Sequence, residues 1–186
     1  MRAAMVLALL AGAAMLVGAA WLRPLAEGDQ ALREGRLEPA LERFAAAEAR
    51  FDRLPASRRA LRSAYAVSQD NQLWLLYRLE RYDALIEKGA SPPRAPIHFW
   101  AGCALFAKSR AEEEPEARLG WLRRAGDEFR KALELDPDDW DTKFNYELTQ
   151  RLLAELRRQP KAPPAQLLQL LRPRPKEGAP APRRAG

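Results

Sequence analysis

Apolar positions fall along this chain in two regimes. From Ala3 to Leu22 no residue is charged. A helix of about 20 residues, rising about 1.5 Å per residue, matches a bilayer core of about 30 Å. Arg2 and the α-amino group flank one end, and Trp21 and Arg23 stand at the other, where interfacial anchors belong. The same run also fits a signal peptide cleaved after Gly18-Ala19-Ala20. Retained anchor and cleaved leader both remain open. Either places the rest of the chain outside the cytoplasm if the amino end stays inside. After residue 23 the apolar positions recur with helical period and are punctuated by Gly and Pro, which predicts an all-α domain over 24–158.

Four segments divide that domain. In 24–51 the turn Glu34-Gly35-Arg36-Leu37 separates two helices, with Gly35 as the residue just past the first. Pro39 sits in the first turn of the second helix, where a missing N–H costs nothing. In 56–89 Ser57 is placed as the cap of a helix through Leu61, Ala64, Tyr65 and Val67. A second apolar group follows at Leu73, Trp74, Leu76, Tyr77 and Leu79, and Leu79-Glu80-Arg81-Tyr82 repeats the earlier turn with Glu80 in place of glycine. Pro92, Pro93 and Pro96 then mark a loop. In 97–137 a helix carrying Phe99, Trp100, Cys103, Ala104, Leu105 and Phe106 precedes a connecting stretch around Lys108–Arg118. A long helix runs from about Glu116 to Leu135, its start favoured by the glutamates before Pro115. In 139–158 Asp138 and Asp139 cap a helix whose Trp140, Phe144, Leu148, Leu152 and Leu156 recur every four residues. Lys143, Glu147, Gln150, Arg151 and Arg157 occupy its far side, as on a terminal capping helix.

Ala125, Phe129, Ala132 and Pro137 together read A-x-x-x-F-x-x-A-x-x-x-x-P. The aromatic fills the space between helices, the small residue permits close approach, and the proline stops the helix. This resembles the closing half of a tetratricopeptide repeat. Gly28, Gly35, Leu37, Ala40, Phe44 and Ala47 resemble an earlier repeat, with Asp52 where the final proline belongs. The segment 56–89 resembles a degenerate one. Trp100 and Ala104 match the first helix of the best repeat, although Trp100 to Ala125 is 25 residues where the family has about 16. The resemblance implies a helical-hairpin array, an α-solenoid, with an N-terminal transmembrane helix. One anchor, a short array and the Trp140–Leu148 ending also look similar to small repeat proteins that accompany MoxR-type ATPases and von Willebrand A-domain proteins, including the methanol-oxidation accessory group. That likeness spans roughly residues 1–158.

Charge and chemistry narrow the picture. The net charge of +6 sits mostly in 159–186, where six Lys and Arg face only Glu177. The body is nearly neutral, which argues against nucleic acid as a partner. With seven prolines and few apolar residues, 159–186 is expected to be disordered, apart from a possible short helix at Ala165–Leu171. Cys103 is the only cysteine, so the chain has no internal disulfide and, since none follows the apolar run, no lipid-modified cysteine there. His98 is the only histidine and is expected as a helix-start or surface residue. No phosphate loop or metal-ligand spacing is present, and the acidic run Glu112–Glu114 lacks the spaced oxygen ligands of a calcium loop. The expectation is a protein that is not an enzyme, takes no cofactor, metal or small-molecule substrate, and binds another protein.

The family resemblance implies where. First helices of successive hairpins line an inner groove for extended or helical peptides. By that register the groove-facing residues are Asp29, Leu32 and Arg33, then His98, Ala101, Leu105 and Lys108, then Asp141, Phe144, Leu148 and Arg151. Asn145 stands where some members grip a terminal carboxylate, but Phe144 and Ala101 replace the basic residues expected nearby, and Asn145 is equally well explained as a bond between helices. The expected protein is a bacterial-type scaffold in the inner (cytoplasmic) membrane, single-pass, with a periplasmic helical domain that supports assembly or maintenance of a membrane complex. The alternative makes the basic tail the active part, binding anionic lipid, with the helical domain as a spacer.

Overall fold

The computed structural model describes residues 2–88 and 94–158. The loop expected at Pro92–Pro93, the disordered tail expected over 159–186 and the short helix within it lie outside the described residues. Among the described residues all regular structure is helical: α1 (Arg2–Arg33), α2 (Leu37–Arg53), α3 (Pro55–Ala60), α4 (Arg62–Arg78), α5 (Tyr82–Lys88), α6 (Ala95–Ala111), α7 (Pro115–Leu135) and α8 (Trp140–Arg158). The chain divides within α4, between Leu75 and Leu76, into two compact units.

In the first unit, α1 carries the apolar run and continues without a break past Pro24 into the domain. It is the one described helix long and apolar enough to cross a membrane, with a mean hydropathy of 2.2 over its best window. Met15, Leu16 and Val17 are exposed, whereas Leu25, Gly28 and Ala31 are buried. Proline removes the N–H that would reach the carbonyl four residues back, here Ala20. Arg50 of α2 supplies the missing donor: its Nη1 donates to Ala20 O at 2.7 Å and to Trp21 O at 2.9 Å. Gly28 lets α2 come close, since a Cβ there would stand 3.0 Å from the Phe44 ring. Phe44 and Phe51 are fully buried, and the Phe51 ring meets Tyr65 of α4 edge-on at 5.4 Å. Gln72 Nε2 donates to Phe44 O at 3.1 Å and to Glu48 at 3.0 Å, tying α4 to α2 through polar side chains. The helix expected to begin at Ser57 is two helices instead. Pro55 opens α3, Ser57 lies inside it with Oγ donating to Leu54 O at 2.6 Å, and Leu61 leaves helical geometry before α4 begins.

The turns after α1 and α4 share one hydrogen-bond pattern. Arg36 N donates to Ala31 O at 2.9 Å and Gly35 N to Leu32 O at 3.0 Å. Arg81 N donates to Leu76 O at 2.9 Å and Glu80 N to Tyr77 O at 3.1 Å. Both are Schellman endings, which need a left-handed residue just past the helix. Gly35 takes it at φ 71°, and Glu80 takes it at φ 57° despite its Cβ. Next to each, Leu37 and Tyr82 open the following helix.

In the second unit, α6 is buried from Phe99 through Phe106 and is the helix around which the others gather. Trp100 meets the Tyr77 ring at 5.3 Å, and Phe99 meets Phe129 at 6.2 Å. A Cβ at Gly102 would lie 2.7 Å from the Phe129 ring, so the ring rests on bare α6 backbone. On α7, Leu122, Ala125, Gly126, Phe129 and Ala132 make the buried face. Glu114 caps α7, its carboxylate accepting from Glu116 N at 3.0 Å and from Ala117 N, and Pro115 fills the first turn. Asp139 caps α8, accepting from Asp141 N at 3.1 Å and Thr142 N at 3.3 Å. On α8 the buried face differs from the expected stripe. Thr142, Asn145 and Thr149 are buried with Leu148, Leu152 and Leu156, while Trp140 is 79% exposed and Phe144 49%.

Two stability measurements follow. Phe129→Ala should cost roughly 3–5 kcal/mol in denaturant unfolding, because nothing else can fill the space above Gly102; a loss below about 1 kcal/mol would contradict this packing. Glu80→Gly should stabilise by about 1 kcal/mol, relieving a Cβ in the left-handed region, and should do so without changing the helix content seen by circular dichroism.

Candidate functional site

The groove residues expected from sequence separate into three places. Asp29, Leu32 and Arg33 lie on α1 of the first unit, with Asp29 buried and Arg33 exposed. His98, Leu105 and Lys108 lie on α6, and Asp141, Phe144, Asn145, Leu148 and Arg151 on α8. Of the α6 group, His98 and Leu105 line a cleft together with Ala101, and Lys108 does not. This cleft of about 480 Å³ is lined by Ile86 of α5, His98, Ala101 and Leu105 of α6, and Arg124, Asp127, Glu128 and Lys131 of α7. That volume is in the range of pockets that hold small ligands or a few residues of peptide.

Helical spacing explains the cleft. His98, Ala101 and Leu105 are three and four residues apart, so they stack on one face of α6. Arg124, Glu128 and Lys131 do the same on α7, each one position before a core residue, Ala125, Phe129 and Ala132. The Phe129–Gly102 contact holds the two rows side by side. Ile86 closes the opposite side from α5. The result is an apolar floor of Ala101, Leu105 and Ile86 beneath a wall of alternating charge.

The wall is cross-linked. Glu128 Oε2 accepts from His98 Nδ1 at 2.7 Å, and Oε1 accepts from Lys131 Nζ at 2.7 Å. Burial alone would raise the Glu128 carboxyl, but the hydrogen bonds from Lys131 and His98 and their charges outweigh it and hold it below the usual carboxylate range. At the other end, Lys108 Nζ reaches Asp83 of α5 at 2.5 Å and lies 4.8 Å from the centre of the Trp121 ring. Arg124 covers the same ring at 4.9 Å. Trp121 Nε1 donates to Glu112 at 3.3 Å, which helps hold that carboxyl low after the larger effect of the Glu114 N–H. The acidic run therefore organises the α6–α7 connection.

None of the α8 residues lines this cleft. Asn145 is buried, and its Nδ2 sits 4.0 Å from Cys103 Sγ on α6, so it works between helices. Leu148 is in the core, Arg151 pairs with Glu147 at 2.6 Å, and Phe144 is half exposed. Ile86, Arg124, Asp127, Glu128, Lys131 and Trp121 were not anticipated as site residues. Their signal was present in α7 as the polar positions next to the Ala125–Phe129–Ala132 face. Among the described residues no three His, Cys, Asp or Glu side chains come together as a metal site. Cys103 is a buried free thiol.

No protein-family model, curated protein or solved structure matches the chain.

Because the folded Glu128 pKa is depressed, its contribution to stability is complete above the ordinary carboxylate range. It is lost as pH falls through the folded value. Glu128→Gln should therefore flatten the acid limb of a plot of Tm against pH, and the difference between wild type and variant should close as Glu128 protonates. A parallel offset at all pH values would show that the carboxylate's charge is not what His98 and Lys131 hold.

Proposed function

We propose that this chain is a membrane-anchored scaffold of tetratricopeptide type whose α6–α7 hairpin receives a segment of another protein, in support of a membrane or periplasmic complex. The observation that carries this is the cleft over His98, Ala101 and Leu105. Its apolar floor accepts side chains, and Arg124, Asp127, Glu128 and Lys131 offer both signs of charge to a backbone or to polar flanks. About 10 Å of α6 separates residues 98 and 105 at helical rise, room for about three extended peptide residues. Affinity from so small a site is modest, which suits a scaffold that gathers components more than an enzyme that must commit a substrate.

Several features support the repeat reading. The helices α1 and α4 end in the same Schellman turn, with Leu37 and Tyr82 at matching places after it. Phe129 and Ala132 pack as the motif requires, and α8 lays a further helix on α7. The apolar first helix supports attachment to the inner membrane, with the helical domain on the periplasmic side as the proposed orientation. The resemblance to accessory proteins of MoxR-type ATPases makes such an assembly the partner class to examine first.

Site-specific photocrosslinking tests this reading. A crosslinker at Arg124 or Lys131, both exposed at the cleft, should capture one defined protein in native membranes. The same group at Arg157 on the end of α8 should not. Leu105→Trp, which fills the floor, should abolish the crosslink in variants that keep wild-type helix content. Equal capture from Arg157, or capture that survives Leu105→Trp, would remove the cleft from the function.

A further inference from the structure

We propose that the corner between α2 and α3 is a binding surface for anionic phospholipid headgroups, seating the first unit on the leaflet from which α1 emerges. The inference rests on α1 crossing the bilayer, and it concerns the folded body where the tail alternative concerned 159–186.

Three pairings fix the level of the corner along α1. Gly28 lies against Phe44, Glu27 pairs with Arg43 at 3.0 Å, and the Ala20 and Trp21 carbonyls accept from Arg50. From the first two pairings to the third the number falls on α1 and rises on α2, so the helices are antiparallel. Each step along one is matched by about one step along the other. One further turn of α2 brings Arg53 and Leu54 level with Val17 and Gly18. That level is about one turn short of Trp21 and Arg23, the interfacial pair, beyond which Leu25 is the first fully buried leucine. Arg53, Leu54 and the start of α3 therefore stand within about one turn of that interfacial pair, where long basic side chains reach the headgroups and an apolar one meets the acyl chains.

The composition of the corner fits what is found at that height. Residues 50–62 contain Arg50, Arg53, Arg58, Arg59 and Arg62 against the single acid Asp52, which pairs with Arg58. Arg53, Arg59 and Arg62 are exposed. Glu27, the nearest acid on α1, is engaged by Arg23 and Arg43 farther from the apolar run. Leu54, at the apex, is an apolar side chain that is 51% exposed. Guanidinium groups around a projecting leucine match lipid phosphates around acyl chains, and the surface charge of an anionic leaflet favours each arginine by roughly fivefold in the ratio of seated to free.

The full chain in lipid nanodiscs tests this. Cys103 is buried, so a polarity-sensitive thiol dye can be directed to Leu54→Cys, or to Glu38→Cys at the far end of α2. In discs containing phosphatidylglycerol the dye at 54 should shift to the blue and be quenched by a quencher carried on the lipid. In phosphatidylcholine discs both responses should fall, and the dye at 38 should report water in either. Arg53→Ser, Arg59→Ser and Arg62→Ser combined, all exposed positions, should reduce the response in phosphatidylglycerol to that in phosphatidylcholine, as should high salt. A dye at 54 that reports water in both lipids while the protein stays disc-bound overturns the lipid surface alone. So does a triple variant indistinguishable from the parent. A protein that does not remain with the discs overturns the anchor, and the proposal with it.

Discussion

The second unit depends on the absence of one side chain. Gly102 leaves α6 bare where Phe129 crosses it, and the ring lies on the backbone at a distance no Cβ would allow. That approach aligns the row Arg124–Glu128–Lys131 with the row His98–Ala101–Leu105, because both rows are counted from the same contact. Between Phe99 and Phe106 every residue of α6 is buried, so neighbours surround that stretch. α5 has only 7 residues against the 21 of α7. The cleft lies where Ile86 of α5 meets the facing rows of α6 and α7.

The glutamate at the α4–α5 turn shows the same economy of backbone. The hydrogen bonds that close α1 and α4 are identical in pattern, and they demand a left-handed residue. Glycine meets the demand without strain at Gly35, whereas Glu80 meets it with a Cβ in place. The register of Leu37 and Tyr82 survives even where the favoured residue is missing.

How much of this was readable in advance depended on whether local chemistry or long-range packing decided the outcome. Caps and stops were local: Glu114 and Pro115 open α7, Asp139 opens α8, and Gly35 closes α1, each through bonds to residues at most five positions away. The face of α8 was not local. Residues four apart on a helix are 400° apart, a drift of about 40° per step, so a run from Trp140 to Leu156 at that spacing turns through about 160°. Trp140 and Phe144 therefore cannot share the buried side with Leu152 and Leu156. Thr142, Asn145 and Thr149 take the inner positions, with Thr149 Oγ1 bonded to Asn145 O at 2.7 Å. The site suffered likewise. A register counted along first helices named His98, Ala101 and Leu105, which line the cleft, but could not reveal that the opposite wall comes from α7. Nor could it show that the α8 candidates face elsewhere.

Pro24 is the other place where distant residues decide. Read locally, a proline after an apolar run ends a helix, and a boundary between residues 23 and 24 follows. The helix continues because Arg50, 30 residues away in sequence, donates to the carbonyl that Pro24 leaves without its N–H. A water molecule could serve that carbonyl equally well on a free peptide, so the hydrogen bond alone does not explain an arginine. What the arginine adds is a fixed charge, tied to α2, at the last turn before the exposed apolar residues. An apolar helix joined to a domain by a flexible linker would leave the domain's orientation to chance. Here the first helix of the folded unit and the apolar helix are one rod, locked to α2 at the junction. Any force that orients the rod, a bilayer above all, must also orient α2 and the arginines that follow it.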